Sequence, residues 1–285
     1  MAEISSYYFT PQDIDRLKAR AAEIRQDVLT MVGAAGAGHP GGSLSATDII
    51  TALYFHVMNI DPARPDWPDR DRFVLSKGHA CPALYAALAR RGFFDPKELT
   101  TLRQHHSILQ GHPDMKKTPG IDMSAGSLGN GLSVGVGMAL SARLHHQDYM
   151  TYVLLGDGEL QEGMVWEAAM AAGHHQLKNL TAVVDCNGVQ INGWTNDIMT
   201  VEPLADKWRA FGWRVVEANG HRMEDILTAL HTARTMRSPT VLLMRTVKGK
   251  GVSFMEDQNK WHGRAPDEDE LVRAIADIRK GGAAQ

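Results

Sequence analysis

The sequence predicts an α/β fold: an open, mostly parallel sheet with helices on both faces. Three observations carry this expectation. Short apolar runs alternate with longer stretches whose apolar residues recur every three or four positions. This strand–helix alternation repeats along the chain, the pattern of a parallel sheet covered on both sides. The 27 glycines follow no repeating period, so they mark tight turns and close backbone approaches.

Taken in order, Thr10-Pro11-Gln12-Asp13 starts a helix, with Thr10 as N-cap and Pro11 in the first helical position. Ile14, Leu17, Ala21, Ile24, Val28 and Val32 line one face of this segment, 11–35. The glycine-bearing stretch 33–42 ends it, and a second helix is expected over 45–58. Strands are expected at 72–76, 151–155, 180–185, 213–217 and 240–246, with helices at 82–91, 132–146, 160–174, 203–211, 223–233 and 267–278. The stretch 111–131 reads as a glycine-rich loop. Glycines inside the 132–146 helix cost propensity, so something is expected to pack closely against them. No repeat, low-complexity tract or linker appears, so residues 1–285 are read as one domain.

Composition narrows the function. With 30 basic and 33 acidic residues the net charge is −3, which gives no field for nucleic acid. No run approaches 18 apolar residues, so no membrane span is expected. Met1-Ala-Glu-Ile-Ser-Ser lacks the pattern of a secretory signal. Cys81 and Cys186 cannot form a disulfide framework and read as free thiols in a reducing cytoplasm. Among 13 histidines, the pairs 105–106, 145–146 and 174–175 read as surface helix ends.

The chemistry centres on Gly156-Asp157-Gly158 and Asn187. Asp-Gly after a strand often marks a hairpin, but Glu159 to Met170 has helical composition. A βαβ unit then puts Asp157 and Asn187 just past the carboxyl ends of two parallel strands, where open α/β sheets bind ligands. A carboxylate, an amide oxygen and a backbone carbonyl suit Mg²⁺ or Ca²⁺, completed by water and ligand phosphates. A helix N-terminus beside them offers N–H groups to a phosphate. Together they predict a metal–diphosphate site.

The stretch from Gly156 to Ala168, ending at Asp185-Cys186-Asn187, resembles the thiamine diphosphate motif of the transketolase family. Gly38-His39-Pro40-Gly41-Gly42, Leu75-Ser76-Lys77-Gly78-His79-Ala80, Gly111-His112-Pro113, Ser127-Leu128-Gly129-Asn130-Gly131 and Trp261-His262-Gly263 agree with it in the family's order. The match covers nearly the whole chain. It implies a thiamine diphosphate-binding fold and transfer of a two-carbon ketol unit from a ketose phosphate to an aldose acceptor.

By that resemblance Asp157, Asn187 and the Val189 carbonyl hold the metal, with Asn187 also beside the cofactor, and Gly158 offers an N–H to the diphosphate. His39 and His112 are implied at the substrate. His79 and His262 are implied near the diphosphate, with His262 also counted as catalytic, because imidazole moves protons near neutral pH. Lys77 and Lys248 resemble basic residues close to the diphosphate, with a solvated surface position as the plain alternative. Gly126 and Leu128 lie where the family's loop touches the aminopyrimidine. Glu162 and Glu167 resemble carboxylates buried at a subunit interface near the cofactor, with an exposed helix face as the alternative.

The family's long enzymes carry a pyrimidine-binding domain with no counterpart here. The expectation is therefore a subunit that is inactive alone and works with a separate C-terminal subunit in an α₂β₂ assembly on sugar phosphates. Two rivals stand beside it: a subunit of another thiamine enzyme such as a 2-oxo acid dehydrogenase, and a non-catalytic thiamine diphosphate-binding protein. The Gly-His-Pro-Gly-Gly and Leu-Ser-Lys-Gly-His stretches oppose the first. Intact Asp157, Asn187 and four histidines oppose the second.

Overall fold

A computed structural model describes residues 9–283; the stretch read above for a secretory signal lies outside the described residues. In chain order the strands are β1 (Arg72–Leu75), β2 (Thr151–Gly156), β3 (Leu180–Cys186), the short pair β4 (Val189–Gln190) and β5 (Gly193–Trp194), β6 (Arg214–Asn219) and β7 (Thr240–Arg245). Five of them form one sheet in the order β1-β2-β3-β7-β6, and every pairing in it is parallel. The helices are α1 (Pro11–Ala35), α2 (Pro40–Ala52), α3 (Cys81–Arg91), α4 (Asn130–Leu144), α5 (Gly163–His174), α6 (Thr195–Met199), α7 (Leu204–Ala210), α8 (Met223–Thr235) and α9 (Glu268–Ala283).

Strand periodicity sorts the core into two layers. Phe73, Leu75, Tyr152, Leu154, Val183 and Leu242 face one side, where they meet residues of α1, α2, α3 and α8. Val74, Val153, Leu155, Ala182, Val184 and Leu243 face the other, against α4, α5 and α7. Helices therefore cover both faces of the sheet, as the sequence predicts. Among the described residues no helix is long and apolar enough to cross a membrane.

The first helix begins with a capping box. The Thr10 hydroxyl accepts the Asp13 N–H at 3.2 Å, and the Asp13 carboxylate accepts the Thr10 N–H at 3.0 Å. It ends at Gly36, whose φ of 60° is left-handed. The apolar stripe from Ile14 to Val32 is buried.

Three helices differ from the sequence reading by more than two residues; the last, α9, runs on to Ala283 rather than ending at residue 278. The second helix starts at Pro40, not at residue 45. Proline suits the first turn, and the neighbouring glycines serve close approach rather than termination. A Cβ on Gly41 would lie 2.9 Å from the Trp261 carbonyl oxygen, and one on Gly42 3.2 Å from His79 Nε2. After Ala52 the helix widens into a π turn, Leu53–Val57. The helix expected from residue 160 divides into a 3₁₀ turn, Gly158–Gln161, and α5, because Glu162 is extended.

The α4 glycines behave largely as expected. A Cβ on Gly131 would lie 2.4 Å from Ser76 Cβ, and one on Gly135 2.4 Å from Val153 Cγ2, whereas Gly137 faces open space. All three histidine pairs are exposed. Two end α4 and α5, and His105-His106 sits in a turn instead.

Candidate active site

The carboxyl ends of β1, β2, β3 and β7 surround a cavity of about 220 Å³. Each strand delivers a polar group there: Lys77 after β1, Asp157 after β2, Asn187 after β3 and Lys248 after β7. The helix start at Pro40 brings Gly42 to the cavity and His39 beside His79 and His262, which line it.

Asp185, at the end of β3, is the anchor. It is fully buried and accepts hydrogen bonds from Ser45 Oγ at 2.6 Å, from Lys77 Nζ and from Thr246 Oγ1. Burial alone would raise its carboxyl, but the Lys77 ammonium wins and holds it below the usual range. Lys77 also donates to the Gly42 carbonyl at 3.2 Å. Asn187 donates its amide N–H to Asp185 Oδ2 at 3.3 Å, which leaves Oδ1 to accept the Val189 N–H at 3.1 Å. The left-handed residue of this turn is Gly188, with φ 72°, not Asn187.

Asp157 accepts the Gly158 N–H at 2.9 Å and the Gly188 N–H at 2.6 Å. Its carboxyl is pushed up to about 6, first by burial and then by the charge of Asp185. Lys248 Nζ donates to the Val189 carbonyl at 2.8 Å and lies 3.0 Å from His262 Nδ1. Burial, then the neighbouring Lys77, pushes it down to about 8. Both lysines are essentially buried, at 1% and 2% exposure, so neither is a solvated surface residue.

Four histidines gather at one end. Ring centroids of His39 lie 5.4 Å from His79, 5.4 Å from His262 and 6.3 Å from His112, and His79 lies 5.0 Å from His262. Burial lowers all four, and neighbouring cations lower them further: His39 to about 4 and His262 to about 3. His39 Nδ1 is buried with no hydrogen-bond partner among the described residues. The His112 carbonyl accepts the Tyr85 hydroxyl at 3.1 Å, which fixes its loop from α3.

Leu128 lines the cavity, and a Cβ on Gly126 would lie 3.9 Å from the His112 ring. Glu162 stands at the cavity rim, and both it and Glu167 are exposed in this chain. One carboxylate escaped the sequence reading. Glu159 is buried and accepts from Ser76 Oγ, from the Gly129 N–H at 2.8 Å and from the Gly156 N–H at 3.0 Å. It ties the loop before α4 to the end of β2. Its only sequence signal is its place one residue beyond the Gly-Asp-Gly motif.

Among the described residues no group of three or more His, Cys, Asp or Glu side chains is arranged around a metal position. A divalent ion here would depend on the Asp157 carboxylate and neutral oxygens, with ligand phosphates and water completing its shell. The donor set fits such an ion. Asp157 is a buried carboxyl lifted toward protonation by burial and by the charge of Asp185, a lift that a bound divalent cation would oppose, and two buried ammonium groups close by suit a polyanion.

Residues 17–279 match the family described as transketolase, thiamine diphosphate binding domain. The chain is 48% identical to a 6-deoxy-6-sulfo-D-fructose transketolase subunit of Clostridium sp. (strain MSTE9), covering 95% of this chain and 99% of that protein. It is 44% identical to an apulose-4-phosphate transketolase subunit of Phocaeicola vulgatus, covering 93% and 94%. A solved transketolase from Pichia stipitis superposes with a TM-score of 0.87 at 33% identity, over 92% of this chain and 40% of that one.

Proposed function

The chain belongs to the transketolase family, and on that premise we propose that it is the diphosphate-binding subunit of a two-chain transketolase. It transfers a two-carbon ketol unit from a ketose phosphate to an aldose acceptor. Thiamine diphosphate and a divalent cation, Mg²⁺ or Ca²⁺, are its cofactors. The observation that carries this reading is the cavity at the sheet's carboxyl edge, where Asp157, Asn187, two buried lysines and four histidines converge.

Thiamine diphosphate, when bound, supplies the carbon nucleophile and electron sink for cleaving the ketose. Asp157, Asn187 and the Val189 carbonyl would hold the cation, and Gly158, Lys77 and Lys248 the diphosphate. Lys248 Nζ donates to the Val189 carbonyl, so it would have to release that oxygen for a cation and would then be free to meet phosphate oxygen. Lys77 is held in place by Asp185. His79 and His262 line the same cavity.

His39 and His112 would receive and return protons at substrate hydroxyls. Burial first, and then cationic neighbours, hold both imidazoles below their ordinary range. An anionic ligand would offset the share that comes from those cations. Gly126 and Leu128 would border the aminopyrimidine, and Glu162 and Glu167 would be covered on assembly.

Relatives named as subunits support a separate partner chain; it would carry the pyrimidine-binding domain and span about 300 residues, room for two domains of usual size. A twofold α₂β₂ assembly is the simplest symmetric arrangement. Residues 1–285 then form one diphosphate-binding domain, and the two free, buried cysteines accord with a cytoplasmic enzyme.

Asp157→Ala tests the assignment in the reconstituted pair. Metal-dependent activity should fall by more than about a hundredfold, since even outer-shell changes at metal sites cost 10–100-fold. Activity unchanged by the substitution would remove the cofactor site from this cavity.

A further inference from the structure

His221 lies outside the cavity, in the turn between β6 and α8, yet both of its ring nitrogens are committed. Nε2 accepts the Val247 N–H at 2.8 Å, and Nδ1 lies 2.8 Å from Asp48 Oδ2. A ring nitrogen that accepts carries no proton, so the proton of the neutral ring sits on Nδ1 and points at Asp48. Asp48, buried on α2, also accepts both terminal nitrogens of Arg25 on α1, at 2.9 and 2.6 Å. Burial would raise the Asp48 carboxyl, but Arg25 and His221 hold it well below the usual range. A chain of directed bonds therefore runs from α1 through α2 to the backbone beside Lys248.

The segment after β7 has few other ties, one of them on Lys248 itself, whose carbonyl accepts the Asp257 N–H at 2.9 Å. Thr246 is held by Asp185 and by the Cys186 carbonyl, and the Gly249 N–H donates to the Gly41 carbonyl at 3.0 Å. Between them, the Val247 N–H has His221 as its partner. This peptide directly precedes Lys248, whose side chain must cross the interior to reach Val189 and His262.

We infer that His221 is a positioning residue for Lys248: through Val247 it sets the backbone from which that ammonium reaches the diphosphate end of the cavity. The inference rests on the reading of Lys248 given above. Arg25 and Asp48 fix the ring's tautomer and orientation, and so keep Nε2 available as an acceptor.

Two isosteres separate the ring's bonds. His221→Asn keeps a donor at the Nδ1 position, toward Asp48, and loses the acceptor for Val247. His221→Gln keeps an acceptor at the Nε2 position and loses the bond to Asp48. Each variant forfeits one hydrogen bond, so their thermal midpoints should fall by similar amounts. The discriminating readout is thiamine diphosphate affinity, measured calorimetrically with Mg²⁺ on the chain joined to its partner subunit.

His221→Asn should weaken binding about fivefold, the scale of one net hydrogen bond, and speed amide exchange at Val247. His221→Gln should bind as the unsubstituted protein does. Equal affinities in the two variants, with Lys248→Met weakened, would overturn the role of His221 alone. A Lys248→Met variant that binds normally would overturn the reading of Lys248 and this inference with it.

Discussion

At the inner end of the cavity Ser45, Lys77 and Asp185 are buried and, with the half-buried Thr246, satisfy one another, whereas Glu162 and Ile191 stand exposed at its mouth. The side chains near the mouth are also the wrong kind for water. Ile191 is 64% exposed, Met199 60% and Trp194 49%. Buried charge survives at the inner end because every carboxylate there meets a cation or a hydrogen-bond donor. The rim has no such internal closure. The difference teaches that this chain closes the inner end of the cavity by itself and leaves apolar side chains uncovered at the mouth, which supports the proposal of a second chain there.

The largest effect should come from breaking the inner end. Lys77→Met would leave Asp185 buried without its cation. Removing one member of a buried pair costs about 3–5 kcal/mol, and chemical denaturation of the variant should show a loss of that order. A loss below about 1 kcal/mol, the range of exposed pairs, would mean that water reaches Asp185.

A smaller and opposite pattern is expected at the mouth. Replacing Ile191 and Trp194 together with serine should leave the chain's own stability within about 1 kcal/mol, because neither is a core residue. Association with the partner subunit should nevertheless weaken by at least about 2 kcal/mol, as loss of a buried aromatic anchor does. Sedimentation of the mixed subunits reads this directly, and unchanged association would place the interface elsewhere.

The mildest effect is confined to acid. His39 and His262 are lowered from 6.5 to about 4 and about 3 in the folded chain, so the unfolded chain takes up their protons first. Their contribution to stability is present above pH 6.5 and drains away as pH falls toward 4 and then 3. Replacing His39 with asparagine should flatten that decline in thermal unfolding followed against pH. An equally steep decline in the variant would show that His39 is not protected from protonation.

The same contrast explains what was legible in the sequence. The five strands of the main sheet lie within one or two residues of expectation, because continuous apolar runs leave little choice in a doubly covered sheet. Sequence alone starts α2 too late because Gly41 and Gly42 read as stops. Only the approach of Trp261 and His79, far along the chain, shows why glycine is needed inside a helix. Likewise Lys77 and Lys248 lie in recognisable motifs, but their burial depends on Asp185 and the Val189 carbonyl, which no local pattern reveals. Glu159 was hidden for the same reason: its partners come from the loop before α4 and the ends of β1 and β2. Asp157 and Asn187 were readable from the strand ends they follow, and the histidines and lysines from the resemblance to the family's motifs. The network that buries and orients them was not.

The division of the active site between two chains is tested most directly by native mass spectrometry of the protein isolated from its own host in Mg²⁺ and thiamine diphosphate. Expected is a complex with equal numbers of this chain and a second chain of about 300 residues, the span of two domains of usual size, with one thiamine diphosphate per pair and cofactor lost when the chains are separated. A solitary chain that retains stoichiometric thiamine diphosphate would contradict it.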